Sequence, residues 1–385
     1  GRQVFDSRGN PTVEAEIFLD DGSSATAISP SGASTGAFEA HELRDKEQNK
    51  FLGKSVNIAV QNINSKISNK LKKLDFNEQE KIDKILIELD GSENKTNLGA
   101  NATLAVSLAY AKCTAIANKQ SLYQSLGTSY SLPIPLMNII NGGAHADNDL
   151  NIQEFMIRPD SAKNFTDAVE KCFLVIQNLK KLLQSKKMLT NVGDEGGFAP
   201  DFDSDEKVID LLLHSIESCG YQPGTQVSIA LDVAASEFYD SQLYKTQMGS
   251  FETKEWVDHL VDLAKKYPIS SIEDPCADID EEGWKHILNE IPESCKIVGD
   301  DLIVTQLPRL KHSYENKLAN AILIKPNQVG SLTKMLDTIA LAKQNDYKMM
   351  ISHRSGETID TAIADFAVGL ATGQIKTGAP CRGER

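Results

Sequence analysis

What this chain of 385 residues lacks narrows its function before any motif is read. Its six cysteines, at 113, 172, 219, 276, 295 and 381, include no CxxC pair. Scattered thiols in so long a chain point to a reduced, cytosolic compartment rather than a disulfide framework. No run of about 18 apolar residues is present, so the sequence offers no helical membrane span. Basic charge is in deficit, with 40 Lys plus Arg against 54 Asp plus Glu and a formal net charge of −14. That balance excludes a protein that coats nucleic acid through a basic face. The Gly/Ser stretch "SGASTG" (31–36) fits neither the P-loop nor the dinucleotide fingerprint, and taken alone it reads as a flexible linker. The first residues, "GRQVFDSRGN", contain no signal peptide and no initiator Met, so a targeting segment ahead of them stays open.

What is present suggests two domains. In "TVEAEIFL", Val13, Ala15, Ile17 and Leu19 alternate onto one face; "DDG" then turns the chain and "SSATAI" returns, which predicts a β-hairpin. Val56, Val60, Ile63, Ile67 and Leu71 have helical spacing, as does the stretch 78–89. An Ala-rich helix follows, with Leu104, Leu108, Ala111 and Ala115 on one stripe. The composition shifts at "SLPIPLMNII", which places a small α+β domain at 1–127 and a second domain at 128–385.

The second domain is built from short apolar runs that end on ionisable residues. "VSIAL" ends on Asp232, "ISSI" on Glu273, "KIVG" on Asp300, "AILI" on Lys325 and "KMMIS" on His353. A weaker run ends on Lys376, and the intervals of 41, 27, 25, 28 and 23 residues each suit one strand plus one helix. Polar residues are common where strands meet loops, but a succession of acids followed by Lys and His predicts a (β/α)8-type barrel. In that fold the strand ends converge on one active-site face.

Crowded carboxylates at Asp232, Glu273 and Asp300 repel one another unless a cation neutralises them, and an all-oxygen set suits Mg²⁺ better than Zn²⁺. Lys325 is then either a base whose pKa is depressed by the metal and Lys376, or simply the ion-pair partner of one of the acids. A lysine base beside a hard cation suits removal of a proton next to a carboxylate. "SHRSGET" adds Arg354 and Ser355, which suit a phosphate. "NVGDEGGFAP" (191–200) is a different puzzle, because Gly193, Gly196 and Gly197 around Asp194 and Glu195 exclude an ordinary helix or core strand.

Together these segments resemble the enolase family, the glycolytic phosphopyruvate hydratases. The resemblance runs through "DSRGNPTVE", "PSGASTG", "NGGAHADN", "QEFMI", "GDEGGFAP", "LDVAASEFY", "IEDP", "VGDD", "KPNQVGS", "SHRSGET" and "KTGAP". The form "HADN" is similar to the bacterial members. The resemblance implies reversible dehydration of 2-phospho-D-glycerate to phosphoenolpyruvate, with two Mg²⁺ per site, the second arriving with substrate. It implies Asp232, Glu273 and Asp300 as ligands of the first metal, and Ser34, on a mobile lid loop, as a ligand of the second. Lys325 would be the base, Glu195 the acid for the leaving hydroxyl with Glu154 nearby, and His353 a close neighbour. His145, Gln153, Arg354, Ser355 and Lys376 would contact substrate. The glycines beside Glu195 would let its loop approach a bound ligand.

A homodimer or higher oligomer with contacts at "DSRGN" is also implied, in the cytoplasm and also at the cell surface or secreted. The competing reading is an enolase-like binding protein with surface ligands or a place in an RNA-processing assembly. The chain starts inside the family's first strand, and the helix that follows the last barrel strand is absent from it. "AFEAHELRD" and "DPCADIDEEGW" receive no chemical role.

Overall fold

The computed structural model describes residues 1–33, 36–72 and 78–385. Strands β1 (Arg2–Phe5), β2 (Pro11–Phe18) and β3 (Ser24–Ile28) form an antiparallel sheet in that order. The expected hairpin is β2 and β3; Val13 and Ala15 are buried, with Ile17 packed at the core margin. Helical segments follow at Asn57–Leu71, Gln79–Asp90 and Ala100–Ala117. The first of these has a π-helical turn at Ile63–Ile67.

The Ala-rich helix differs from the one-stripe expectation, because it is buried nearly all round. It lies between the sheet and the second half of the chain. Cys113 Sγ donates to the Ile17 carbonyl on the sheet side. On the other side Thr103 Oγ1 donates to the Gly330 carbonyl at 2.8 Å, and Ser107 Oγ accepts the Leu332 N–H at 2.9 Å. Small alanines permit this close approach from both directions.

The first barrel strands are β4 (Ile134–Asn141), β5 (Glu154–Arg158) and β6 (Ser228–Asp232). A small antiparallel sheet of β7 (Tyr239–Asp240), β8 (Leu243–Thr246) and β9 (Gly249–Phe251) precedes β10 (Ile269–Glu273). Then come β11 (Lys296–Gly299), β12 (Ala321–Ile324), β13 (Lys348–Ser352) and β14 (Gly373–Lys376). The order β10-β11-β12-β13-β14-β4-β5-β6 closes on itself.

A regular (β/α)8 barrel has eight parallel strands, but here β5 is antiparallel to both β4 and β6. The link between β4 and β5 contains only the single helical turn Gly143–His145. Parallel neighbours need a long crossover, so a link this short returns the chain as a hairpin. Elsewhere helices alternate with the strands, and several begin at side-chain caps. Asn164, Ser204 and Asp280 each accept the N–H three residues on, satisfying a donor the helix leaves open.

The strands pack outward against these helices in the main core. Inward they enclose a separate apolar layer of Leu136, Met156, Ala230, Val298, Ala321, Leu323 and Met350. The N-terminal sheet is tied to the barrel mouth by paired backbone hydrogen bonds between Ser31 and Gly356, both 2.9 Å. Asp360 reinforces the join, accepting from Ile28 N at 2.9 Å and pairing with Lys112 at 2.6 Å. None of the described helices is long and apolar enough to cross a membrane.

Candidate active site

The predicted strand ends do converge. Asp232, Glu273 and Lys376 are the last residues of β6, β10 and β14, while Asp300, Lys325 and His353 directly follow β11, β12 and β13. Glu154 joins them from the opposite direction. Because β5 runs antiparallel, its first residue lies at the end where its neighbours finish, in register with Asp232, which is itself in register with Glu273.

Lys376 is the hub of this ring. Its Nζ lies 3.0 Å from Asp232 Oδ2, 2.9 Å from Glu273 Oε2 and 3.1 Å from Glu154 Oε2. Burial opposes its charge, but Asp232, Glu154 and Glu273 outweigh that and hold its pKa well above a free lysine's. Glu273 itself is pushed well up by burial and then by the like charge of Asp232.

Lys325 pairs with Asp300, whose other oxygen accepts Gln328 Nε2 at 2.9 Å. Of the two readings of Lys325, the side chains as they stand show the ion pair. Burial lowers its pKa, but Asp300 raises it, and the net shift is upward. A lysine held against a carboxylate keeps its proton; a second cation in the vicinity does not reverse that.

Across the mouth stands a cluster of His145, Glu154 and Glu195. His145 Nδ1 lies 3.6 Å from Glu154 Oε1 and 3.7 Å from Glu195 Oε1. Two buried carboxyls so close do not both ionise. Burial and then Glu195 push Glu154 well above the usual carboxylate range. Glu195 keeps the charge: burial opposes it, but His353 and His145 favour it, and Asn138 Nδ2 donates to its Oε2 at 3.1 Å.

Burial lowers the His353 pKa to about 4, so this ring is neutral near pH 7. Arg385 donates to His353 Nδ1, and arginine cannot accept, so Nε2 carries the ring proton. That nitrogen is 3.1 Å from Glu195 Oε2. His353 therefore assists Glu195 as a dipole rather than as a cation.

The glycines around Glu195 have a role in the protein's own packing. A Cβ on Gly193 would stand 2.6 Å from the His145 carbonyl and 2.9 Å from Asn141 Cβ, so only glycine lets the loop pack on the end of β4.

Residues 32 and 33 also reach the mouth. Ala33 N donates to Ser355 Oγ at 2.7 Å, and Gly32 and Ala33 line the cleft. Ser34 lies outside the described residues. Gln153 lines the cleft too; its N–H donates to the Asp232 carbonyl at 2.9 Å, and its buried Oε1 has no partner among the described residues. Glu273 does not line the cleft and sits behind Lys376.

Sequence reasoning passed over several residues here. Glu39, in a segment given no role, holds Arg354 with two contacts of 2.9 and 3.1 Å. Asp274 accepts the backbone N–H groups of Asp300 and Asp301 at 2.9 and 2.8 Å, fixing the start of that loop. Burial and then Asp300 lift Asp301 to about 7. The doubled acids in "IEDP" and "GDD" were the available signal for Asp274 and Asp301. Nothing in the sequence marks Glu39, which is 315 residues from its partner.

The ring suits a hard cation. Its donors are carboxylate oxygens, the ligand type that hard cations take. As the side chains stand, Lys376 holds Asp232 and Glu273 while Lys325 holds Asp300. The tight groups among the described residues are instead His145–Glu154–Glu195 and Asp274–Asp300–Asp301.

Residues 1–126 match the family model described as enolase, N-terminal domain, and residues 129–385 match that described as enolase, C-terminal TIM barrel domain. A relative from Anaplasma phagocytophilum (strain HZ), named Enolase, is 50% identical over 386 residues, covering 100% of this chain and 90% of its own length. With both domain models and a half-identical relative spanning it, the chain belongs to the enolase family of hydro-lyases.

Proposed function

We propose that this enzyme interconverts 2-phospho-D-glycerate and phosphoenolpyruvate in glycolysis and gluconeogenesis, with Mg²⁺ as its cofactor. One observation carries the reading. A single cleft is lined at once by Lys325, the acids Asp232, Asp300, Glu154 and Glu195, and the phosphate-suited pair Arg354 and Ser355. Asp232, Glu273 and Asp300 would hold the first Mg²⁺, and Ser34 would contribute to a second that comes with substrate. When bound, Mg²⁺ supplies the positive charge that the carboxylate side of the substrate needs as C2 loses its proton. A lysine base beside Mg²⁺ is general to this superfamily.

Lys325 Nζ takes the C2 proton once substrate binding has drawn Asp300 from it. The Glu195–Glu154 pair, which already holds one proton between its two carboxyls, delivers a proton to the C3 hydroxyl. The C3–O bond then breaks and water leaves. Arg354, Ser355 and Lys376 bind the anionic substrate, with His145 and Gln153 at its side. His353 orients Glu195. The division at residues 127/128, a cytoplasmic location and a homodimer with contacts around "DSRGN" belong to the same proposal.

A coupled dehydration assay tests this reading. Activity is expected with Mg²⁺, none after chelation by EDTA, and recovery when Mg²⁺ is restored. A folded protein that stays silent throughout would refute the proposed reaction.

A further inference from the structure

A cavity of about 280 Å³ lies apart from the cleft, between residues 93–95, the start of helix Leu307–Asn316 and helix Leu332–Gln344. Two lysines line it, Lys95 and Lys334. Lys95 is only 2% exposed, an unusual state for a lysine. Its backbone stands at φ +58°, a left-handed conformation that side-chain-bearing residues rarely adopt. Gly330 makes room for its stem, since a Cβ there would come within 3.1 Å of Lys95 Cδ. The fold thus turns a buried lysine inward at some backbone strain.

Burial, and then the like charge of Lys334, bring the Lys95 pKa down to about 8. Neither lysine forms an ion pair among the described residues. The acids whose charge reaches Lys95 are engaged elsewhere. Asp83 accepts from Thr333 N and Oγ1 at 2.8 and 2.6 Å, and Asp90 accepts from Ser92 N and Leu98 N at 3.0 and 2.6 Å. Glu93 and Asp337 also line the cavity but are exposed, and Asn94 adds an amide group. Two lysines lining one concave site without an ion-pair partner, one of them buried, suit an anion.

We propose that this cavity is a second binding site, for a compact phosphate-type dianion held between the Lys95 and Lys334 ammonium groups. The site shares a wall with the barrel mouth. Gln328, which lines the cavity, donates to Asp300 Oδ1 at 2.9 Å, and its carbonyl accepts Ala40 N at 2.9 Å, next to Glu39. An occupant therefore touches a residue that positions the candidate active site.

Reductive methylation of individual lysines, read by mass spectrometry on the full chain, tests the proposal with inorganic phosphate as probe. Phosphate is expected to slow modification of Lys95 and Lys334 together by roughly three-fold or more, because an ammonium paired with an anion is protonated and shielded. Exposed Lys84 should be unaffected. In Lys334→Gln the protection of Lys95 is expected to disappear, which separates this cavity from phosphate bound at the barrel mouth. Methyl phosphate, run in parallel, distinguishes a site open to phosphate esters from one that closes around the free anion. Equal Lys95 modification with and without phosphate would overturn the proposal. So would a Lys95 that never reacts while Lys84 is fully modified, because the cavity would then be closed to solutes. Protection that persists in Lys334→Gln would assign the anion to other groups and equally defeat it.

Discussion

Two positions along the same strands separate the most apolar layer of the barrel from its most charged one. Leu136, Met156, Ala230, Val298, Leu323 and Met350 belong to the inner apolar layer. Two residues nearer the mouth on those strands stand Asn138, Glu154, Asp232, Asp300, Lys325 and Ser352. Side chains at i and i+2 share a face, so the polar ring rests directly on an apolar floor. An apolar layer offers no polar partner, so each charge finds its counter-charge within the ring. That is why Lys376 gathers three carboxylates and Lys325 takes Asp300. The floor governs stability and the ring governs chemistry, and substitutions can separate the two.

The largest effect is expected within the ring. Lys325→Ala should reduce dehydration by about 10³-fold or more and abolish exchange of the C2 hydrogen with D₂O, as loss of a general base predicts. Glu195→Gln should impair dehydration while C2 exchange persists. NMR of 2-phospho-D-glycerate in D₂O reports both events. Exchange that survives in Lys325→Ala but vanishes in Glu195→Gln would reverse the roles of the two sides. Asp300→Asn keeps the shape and removes one charge. Mg²⁺ affinity and activity should fall together by roughly 10²-fold, and calorimetric titration showing unchanged Mg²⁺ binding would remove Asp300 from the metal site.

One layer down, the consequence should change character. Leu323→Ala removes a fully buried side chain and should cost about 2–5 kcal/mol of stability. Its effect on turnover should stay below about ten-fold, since no charged group of the ring is altered. Urea unfolding beside the rate assay checks this; a collapse of turnover without loss of stability would mean that the two layers are not separable.

The smallest effect comes from a buried acid outside the ring. Asp205 has no cation beside it, and burial lifts its pKa to about 6. Because the folded value stands above the unfolded one, its contribution to stability is present in acid and lost as pH rises through about 6. Asp205→Asn removes that loss, so the variant should gain about 2–3 kcal/mol on wild type between acid and neutral pH. A pH-independent difference in unfolding free energy would show that Asp205 is ionised without penalty.

The ring was readable because strands of a barrel carry their chemistry at recurring places. An apolar run ending in an acid, a lysine or a histidine is a local signal, and six such runs define a common end. Glu154 was legible only through the resemblance, since it begins an antiparallel strand rather than ending a parallel one. The Glu39–Arg354 pair and the Arg385 contact to His353 join residues far apart in the chain, and spacing arguments say nothing about such encounters. Arg385 was assigned no role at all.

By itself the sequence determined which residues end the strands, the helical and extended periodicities, and the family motifs, because each depends on neighbours a few positions away. Only the tertiary structure decided who neutralises whom. It gave Lys376 to three acids, set Glu195 beside a buried Glu154 whose pKa is thereby pushed up, and brought Lys95 and Lys334 to one separate cavity. Electrostatic partnership depends on distance and burial in three dimensions, and neither is encoded in the order of residues along one strand.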